Sequence, residues 1–288
     1  MAPVRSLAPA KVNLFLHVGP LAADGYHPLT SLVAFADIGD AVTLRPADRL
    51  SLTVTGPFAG GLNDGADNLI LKALRAMGQA TGAGDPPVAV TLDKQLPIAA
   101  GLGGGSSDAG AVLKAARDLL GLPLNDDALA EIAAVIGADG PMCLHALAAW
   151  AEGRGDRLTF ESRLPTLSAV LINPGVPSPT GEVYRSYDRG PAAAADRPEP
   201  PGDWAASTVI HWLSKQRNDL EAPAVALQPV IGEALRAAAQ LPGVRLVRMS
   251  GSGATVFALF DTADQAVAAA RRLAGIRHDW WVRPATLR

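Results

Sequence analysis

A single cysteine, Cys143, stands in a chain of 288 residues, so no internal disulfide can form and a reducing compartment is expected. Positive charge is not in excess. Twenty-five Lys and Arg face 28 Asp and Glu, a formal net charge of −3. No basic field points to nucleic acid. The five histidines (His17, His27, His145, His211, His278) form no ligand-spaced pair, which argues against a zinc centre. No apolar run reaches the length of a bilayer span, and Met1–Leu7 carries one arginine and no apolar core. Neither a membrane anchor nor a secretory signal is expected, and the expected location is cytoplasmic. What is abundant is apolar residue, 49% of the chain with much of it alanine, enough for one large or two moderate cores.

The richest local signal is Pro97-Ile98-Ala99-Ala100-Gly101-Leu102-Gly103-Gly104-Gly105-Ser106-Ser107-Asp108. Glycines let a backbone turn sharply and approach a ligand closely. A helix start adds unpaired amides and a positive dipole end. Together they make a cradle for phosphate. It is not the lysine-containing P-loop, because Ser106 follows Gly105 and no lysine is present. It is not the dinucleotide fingerprint either, since the sixth residue from Gly101 is Ser106. Ser106 and Ser107 offer hydroxyl donors, and Asp108 in the first turn would favour the helix end.

Period-two alternation over 11–18 predicts a strand with Lys11 and Asn13 on one face. Asp24-Gly25-Tyr26-His27-Pro28 reads as a turn. Strands are expected near 31–36, 41–45, 50–55 and 88–92, and helices near 67–77, 109–120 and 126–136. A buried strand is expected over 142–150. Further on come a Pro/Ala-rich loop over 191–202, a helix near 223–240 and a strand at 244–249. A second glycine turn, Ser250-Gly251-Ser252-Gly253, is followed by a strand at 254–260, a helix at 264–273 and an edge strand at 280–282.

The glycine loop resembles the signature of the GHMP kinases. Pro9-Ala10-Lys11-Val12-Asn13-Leu14-Phe15-Leu16 and Asp24-Gly25-Tyr26-His27 are similar to members acting on a cytidine diphosphate-linked methylerythritol. Asn68-Leu69-Ile70, Gly137-Ala138-Asp139 and Ser250–Phe257 agree, in the same order, over nearly the whole chain. The resemblance implies an α/β, two-layer α+β GHMP kinase fold. Residues 1–157 would form an N-terminal ATP-binding domain like domain 2 of ribosomal protein S5, and 158–288 a C-terminal ferredoxin-like α/β sandwich. The active site would lie in the cleft between them.

The implied reaction moves the γ-phosphoryl of ATP, with Mg2+, onto the 2-hydroxyl of the methylerythritol unit, in the non-mevalonate route to isopentenyl diphosphate. Asp139 would be the base and Lys11 its cationic partner. Pro97–Ser107 would hold the phosphates, and Asn68 and Lys94 would line the adenine pocket. Tyr26, His27 and Tyr184 would meet the cytidine, and Asn13 the methylerythritol. No residue is assigned as a metal ligand. The expected partner is this small molecule, without nucleic acid or membrane, on a monomer or weak homodimer.

Each residue has a plainer reading. Asp139 suits a turn that binds its own backbone, Lys11 a solvated strand and Asn68 a helix cap. Two departures stand out: Leu21-Ala22-Ala23 where a basic residue is usual, and Gly140 where a branched aliphatic is usual. The alternatives are another GHMP small-molecule kinase, acting on homoserine, mevalonate or a sugar, and a non-catalytic nucleotide sensor on the same scaffold.

Overall fold

The computed structural model describes residues 2–62, 65 and 67–288. The chain groups into two compact units that interleave in sequence. The first takes Met1–Lys11, Ile38–Ile98 and Gly103–Ala146, and the second Val12–Asp37, Ala99–Leu102 and Leu147–Arg288. Contacts therefore divide the chain otherwise than by one cut after residue 157.

The first unit contains most of β1 (Val4–Asn13), the second half of β3 (Leu29–Pro46), β4 (Ser51–Thr55) and β5 (Val88–Asp93). β5 runs parallel to β4 and antiparallel to β3, which also pairs with β1. Four helices accompany this sheet: α1 (Leu69–Thr81), α2 (Gly104–Leu120), α3 (Asp126–Ile136) and α4 (Gly140–His145). Their starts are written locally. Asn68 caps α1 and Asn125 caps α3 through side-chain oxygens. Ile70, Leu74, Met77, Val112, Leu113, Leu129 and Ile132 then bury one apolar stripe from each of α1, α2 and α3 against Val42, Leu44 and Val90.

The second unit holds β2 (His17–Val18), the first half of β3, β6 (Ala149–Gly153) and β7 (Arg157–Phe160) in one antiparallel set. Its remainder is β8 (Leu167–Asn173), α5 (Thr180–Tyr187), α6 (Ala206–Ser214), α7 (Glu221–Leu227) and α8 (Pro229–Ala239), followed by β9 (Val244–Met249), β10 (Val256–Phe260), α9 (Ala263–Ala274) and β11 (Trp281–Leu287). The spatial order β9-β10-β8-β11 is antiparallel throughout. With helices between β8 and β9 and between β10 and β11, this is the ferredoxin-like arrangement expected of the C-terminal half.

Several local expectations need correction. The strands expected at 31–36 and 41–45 are one continuous strand, β3. The strand expected over 11–18 is the end of β1 and the short β2, and both of its faces are buried. Residues 142–145 belong to helix α4, not to a strand. The helix expected near 223–240 breaks at Gln228, because Pro229 lacks the amide needed to continue α7 and opens α8 instead. α1 runs through Gly78 to a left-handed Gly82. β11 is no edge, since β8 pairs with it throughout and Ala36 of β3 pairs with Leu287. Residues 191–202 form no regular element, as expected, yet the segment is tied down. Thr30 Oγ1 donates to the Ala195 carbonyl (2.5 Å) and Trp212 Nε1 to that of Glu199 (2.7 Å). Among the described residues, no helix is long and apolar enough to cross a membrane.

Candidate active site

β5 ends at Asp93, and the chain passes through the glycine loop into α2, whose N-cap is Gly103 in the left-handed conformation (φ 61°). The helix starts at Gly104, earlier than its apolar periodicity begins, so Ser106 and Ser107 already lie in its first turn. The first amides of an α-helix have no acceptor within it. Gly103 to Ser106 are only half-buried, whereas Ser107 is fully buried, with its side chain against the Cys143 thiol. Ser106 thus remains available to a ligand at this helix end and Ser107 does not.

Lys11 crosses directly over that N-cap. A Cβ added to Gly103 would lie 3.2 and 3.3 Å from Lys11 Cβ and Cε, and 3.4 Å from Cys143 Sγ. Lys11 is 7% exposed, and its amine donates to Asp139 Oδ2 at 2.8 Å. Asp139 precedes α4 without capping it, and its side chain stays 38% exposed. Burial disfavours the Lys11 ammonium, but Asp139 and Cys143 together outweigh it and raise its pKa. The site therefore presents a fixed cation touching an accessible carboxylate beside the first amides of α2. Gly140 follows Asp139 because space requires it. A Cβ there would fall 2.1 Å from the Ala133 carbonyl oxygen, so the branched residue usual at this position would not fit.

The Cys143 thiol is sealed, and burial pushes it up to about 12. A neutral buried thiol is a poor nucleophile. The folded protein is expected to resist iodoacetamide at neutral pH and to become labelled only in denaturant, as mass spectrometry would read. Rapid labelling of the native chain would contradict this geometry.

In the second unit, residues 99–101 lie under the second glycine turn. Ser250 Oγ donates to the Gly101 carbonyl at 2.9 Å and accepts from the Asn13 amide at 3.1 Å. Thr255 N donates to the Ala100 carbonyl at 3.1 Å. Asn218 Nδ2 holds the turn by donating to the Met249 and Gly251 carbonyls, each at 2.8 Å. Asn13 is buried, and its Nδ2 donates to Ser31 Oγ at 2.8 Å.

The Asp24–Pro28 turn forms as expected, with Tyr26 N donating to Asp24 Oδ1. Tyr26 is 54% exposed, and the Arg154 guanidinium sits 4.0 Å over its ring while bonding Asp24 at 2.7 Å. A cavity of about 250 Å³ opens here between Asp24, Tyr26, His27, Arg154 and Arg157. His27 is buried. Its Nδ1 donates to the Gly19 carbonyl at 2.9 Å, and its Nε2 lies 3.2 Å from Asp188. Tyr184 lies beside His27, with ring centroids 5.1 Å apart.

The other two positions expected at a nucleotide are otherwise engaged. The Asn68 carboxamide oxygen accepts from Ile70 N, and the Lys94 amine is enclosed by Asp40 and Asp108. Asp108 therefore pairs with Lys94 rather than serving the helix end. Asp40 and Arg154 went unnoticed in the sequence, because each partner is more than 50 residues away.

Models of known families match twice: the GHMP kinases N terminal domain over residues 68–146 and the GHMP kinases C terminal over 207–276. A 4-diphosphocytidyl-2-C-methyl-D-erythritol kinase of Caulobacter vibrioides (strain NA1000 / CB15N) is 54% identical over 281 residues, 96% of this chain and 97% of the relative. One from Dinoroseobacter shibae is 48% identical, covering 99% of this chain and 96% of its own. Among solved structures, a 4-(cytidine 5'-diphospho)-2C-methyl-D-erythritol kinase superposes with TM-score 0.78 at 35% identity, covering 99% of both chains. A homoserine kinase from Cytophaga hutchinsonii superposes at 0.70 with 21% identity over 99% of this chain and 94% of that one, a likeness of fold.

Proposed function

The chain belongs to the GHMP kinase family, and we propose that it transfers the γ-phosphoryl of ATP to the 2-hydroxyl of 4-diphosphocytidyl-2-C-methyl-D-erythritol. The observation that carries the reading to chemistry is the 2.8 Å contact between Lys11 and Asp139 beside the N-cap of α2. Asp139 accepts the hydroxyl proton of the acceptor. Lys11 holds that carboxylate in place at 2.8 Å and offsets charge on the alkoxide and phosphoryl oxygens. The amides opening α2 and the Ser106 hydroxyl receive the triphosphate. Such positioning supplies most of the catalysis in phosphoryl transfer, which has a loose transition state.

Mg2+ fits this site by donor chemistry, since hard oxygen ligands suit it and it retains several waters. Among the described residues no cluster of three or more His, Cys, Asp or Glu could hold a metal. Phosphate oxygens with the half-buried Ser106 hydroxyl are the ligands on offer. Bound there, the ion neutralises phosphate charge.

At the other end of the substrate, Tyr26, His27 and Tyr184 receive the cytidine, and Asn13 the methylerythritol. The nearness of His27 to Tyr184 and the exposed Tyr26 ring support this. A homoserine kinase and a mevalonate kinase share the fold at 21% and 15% identity, whereas the cytidylated substrate stands in the names of relatives about half identical. An ADP-release assay over a panel of alcohols tests the choice. Turnover is expected with the cytidylated methylerythritol and to fall by at least about 100-fold with methylerythritol, homoserine or mevalonate. Equal rates on the plain polyol would remove the assignment.

A further inference from the structure

Both ends of the glycine loop converge on one amine that the reaction does not touch. Lys94 Nζ donates to Asp40 Oδ2 at 2.5 Å and to Asp108 Oδ2 at 2.8 Å. Asp40 lies within β3, and its other oxygen accepts from the amides of Gln95 (2.6 Å) and Leu96 (2.8 Å). The incoming end of the loop is thereby fixed to the strand. Asp108 lies in α2, so the same ammonium fixes the outgoing end. It also sits directly beneath the helix start, since a Cβ on Gly104 would come 3.1 Å from Nζ.

All three side chains are at least nine-tenths buried, with 3%, 0% and 4% of their surface exposed. Burying three charges is a poor way to stabilise a fold, because desolvation cancels much of the attraction. What the cluster supplies is geometry: short charged hydrogen bonds that set strand, loop and helix at fixed separations. It also sets the charge under the helix end. Asp40 accepts from three donors. Among the described residues Asp108 Oδ1 has no hydrogen-bond partner, and burial with Asp40 beside it pushes its carboxyl up to about 7. The charged or titratable groups around Asp108 are Lys94, Asp40 and the Cys143 thiol. With its proton Asp108 leaves the cluster neutral; without it, a net negative charge lies below the amides.

We propose that Lys94 is a positioning residue for the phosphate donor: it ties Asp40 to Asp108, holds both ends of the 97–103 segment in register, and offsets the negative charge of the two carboxyls beneath the first turn of α2. This rests on the reading that ATP phosphates occupy that turn. Lys94→Met is expected to raise the KM for ATP by at least about tenfold and to leave the KM for the acceptor within about twofold. Asp108→Asn keeps the volume and the Lys94–Asp40 bond. It is expected to abolish any rise in the KM for ATP that the parent shows between about pH 6 and 8.

A folded Lys94→Met protein whose KM for ATP stays within about twofold of the parent overturns the proposal. If Lys94→Met does not fold, Asp108→Asn decides. A pH dependence identical to the parent's, or a parent with no such rise, then overturns it. Absence of ATP-dependent turnover in the parent would instead remove the functional reading beneath it.

Discussion

Asp139→Asn is expected to lower kcat by about 10²–10⁴-fold while ATP affinity stays within about twofold. Asparagine matches the shape of aspartate but takes no proton, so the acceptor hydroxyl loses its base. Asp139 is open enough to meet a substrate, and its neighbour Lys11 is enclosed. The same change leaves the Lys11 ammonium without its anion, so a lowered thermal midpoint is also expected. Steady-state kinetics on protein shown to be folded separates the two effects. Lys11→Ala should reproduce the loss in kcat by the other route, since the cation that orients Asp139 and offsets charge on the alkoxide and phosphoryl oxygens is then gone. Unchanged kcat in either folded variant would remove the catalytic assignment.

The second large effect is expected at Gly101. Its φ of +72° suits glycine, and an added Cβ would lie 2.3 Å from the Ser250 carbonyl oxygen and 2.9 Å from Gly253 N. Both obstacles are backbone, so Gly101→Ala cannot be relieved by a rotamer change. It must push the second glycine turn away from residues 99–101 or force the loop out of the left-handed region. A left-handed non-glycine residue alone costs on the order of 1–3 kcal/mol. The expected result is a loss of stability of at least that order in urea unfolding, with a raised KM for ATP because the loop leads into Gly103 and α2. Wild-type stability in Gly101→Ala would mean that the two turns are not held together as described.

What was legible in the sequence was whatever is written locally. α3 runs over the residues expected because Asn125 caps it, two acids follow and Gly137 stops it. The glycine loop was legible because four glycines within five residues run straight into an amphipathic helix. β3 was not, because Gly39 and Asp40 look like a break. Gly39 is needed where the Ala8 carbonyl would lie 2.1 Å from a Cβ, and Asp40 is buried only because Lys94 reaches it. Neither partner is near in sequence.

The apolar run after Pro141 was read as strand because a short buried run has the same composition in either state. In the structure 142–145 belong to the helix α4, which follows Asp139 where it meets Lys11, and only 149–150 enter strand β6. Lys94 shows the same limit at the site. A lysine beside a phosphate loop reads as a ligand contact, and only the fold shows two carboxylates enclosing it. Lys11 and Asp139, 128 residues apart, met as the family resemblance implied, though nothing in their own neighbourhoods required it.

A crystal structure with a non-hydrolysable ATP analogue tests the central claim most directly. The account predicts the β- and γ-phosphates on the amides of residues 103–106, with the γ-phosphate within reach of the Lys11 amine. A triphosphate bound away from the start of α2, with Lys11 and Asp139 facing no part of it, would contradict it.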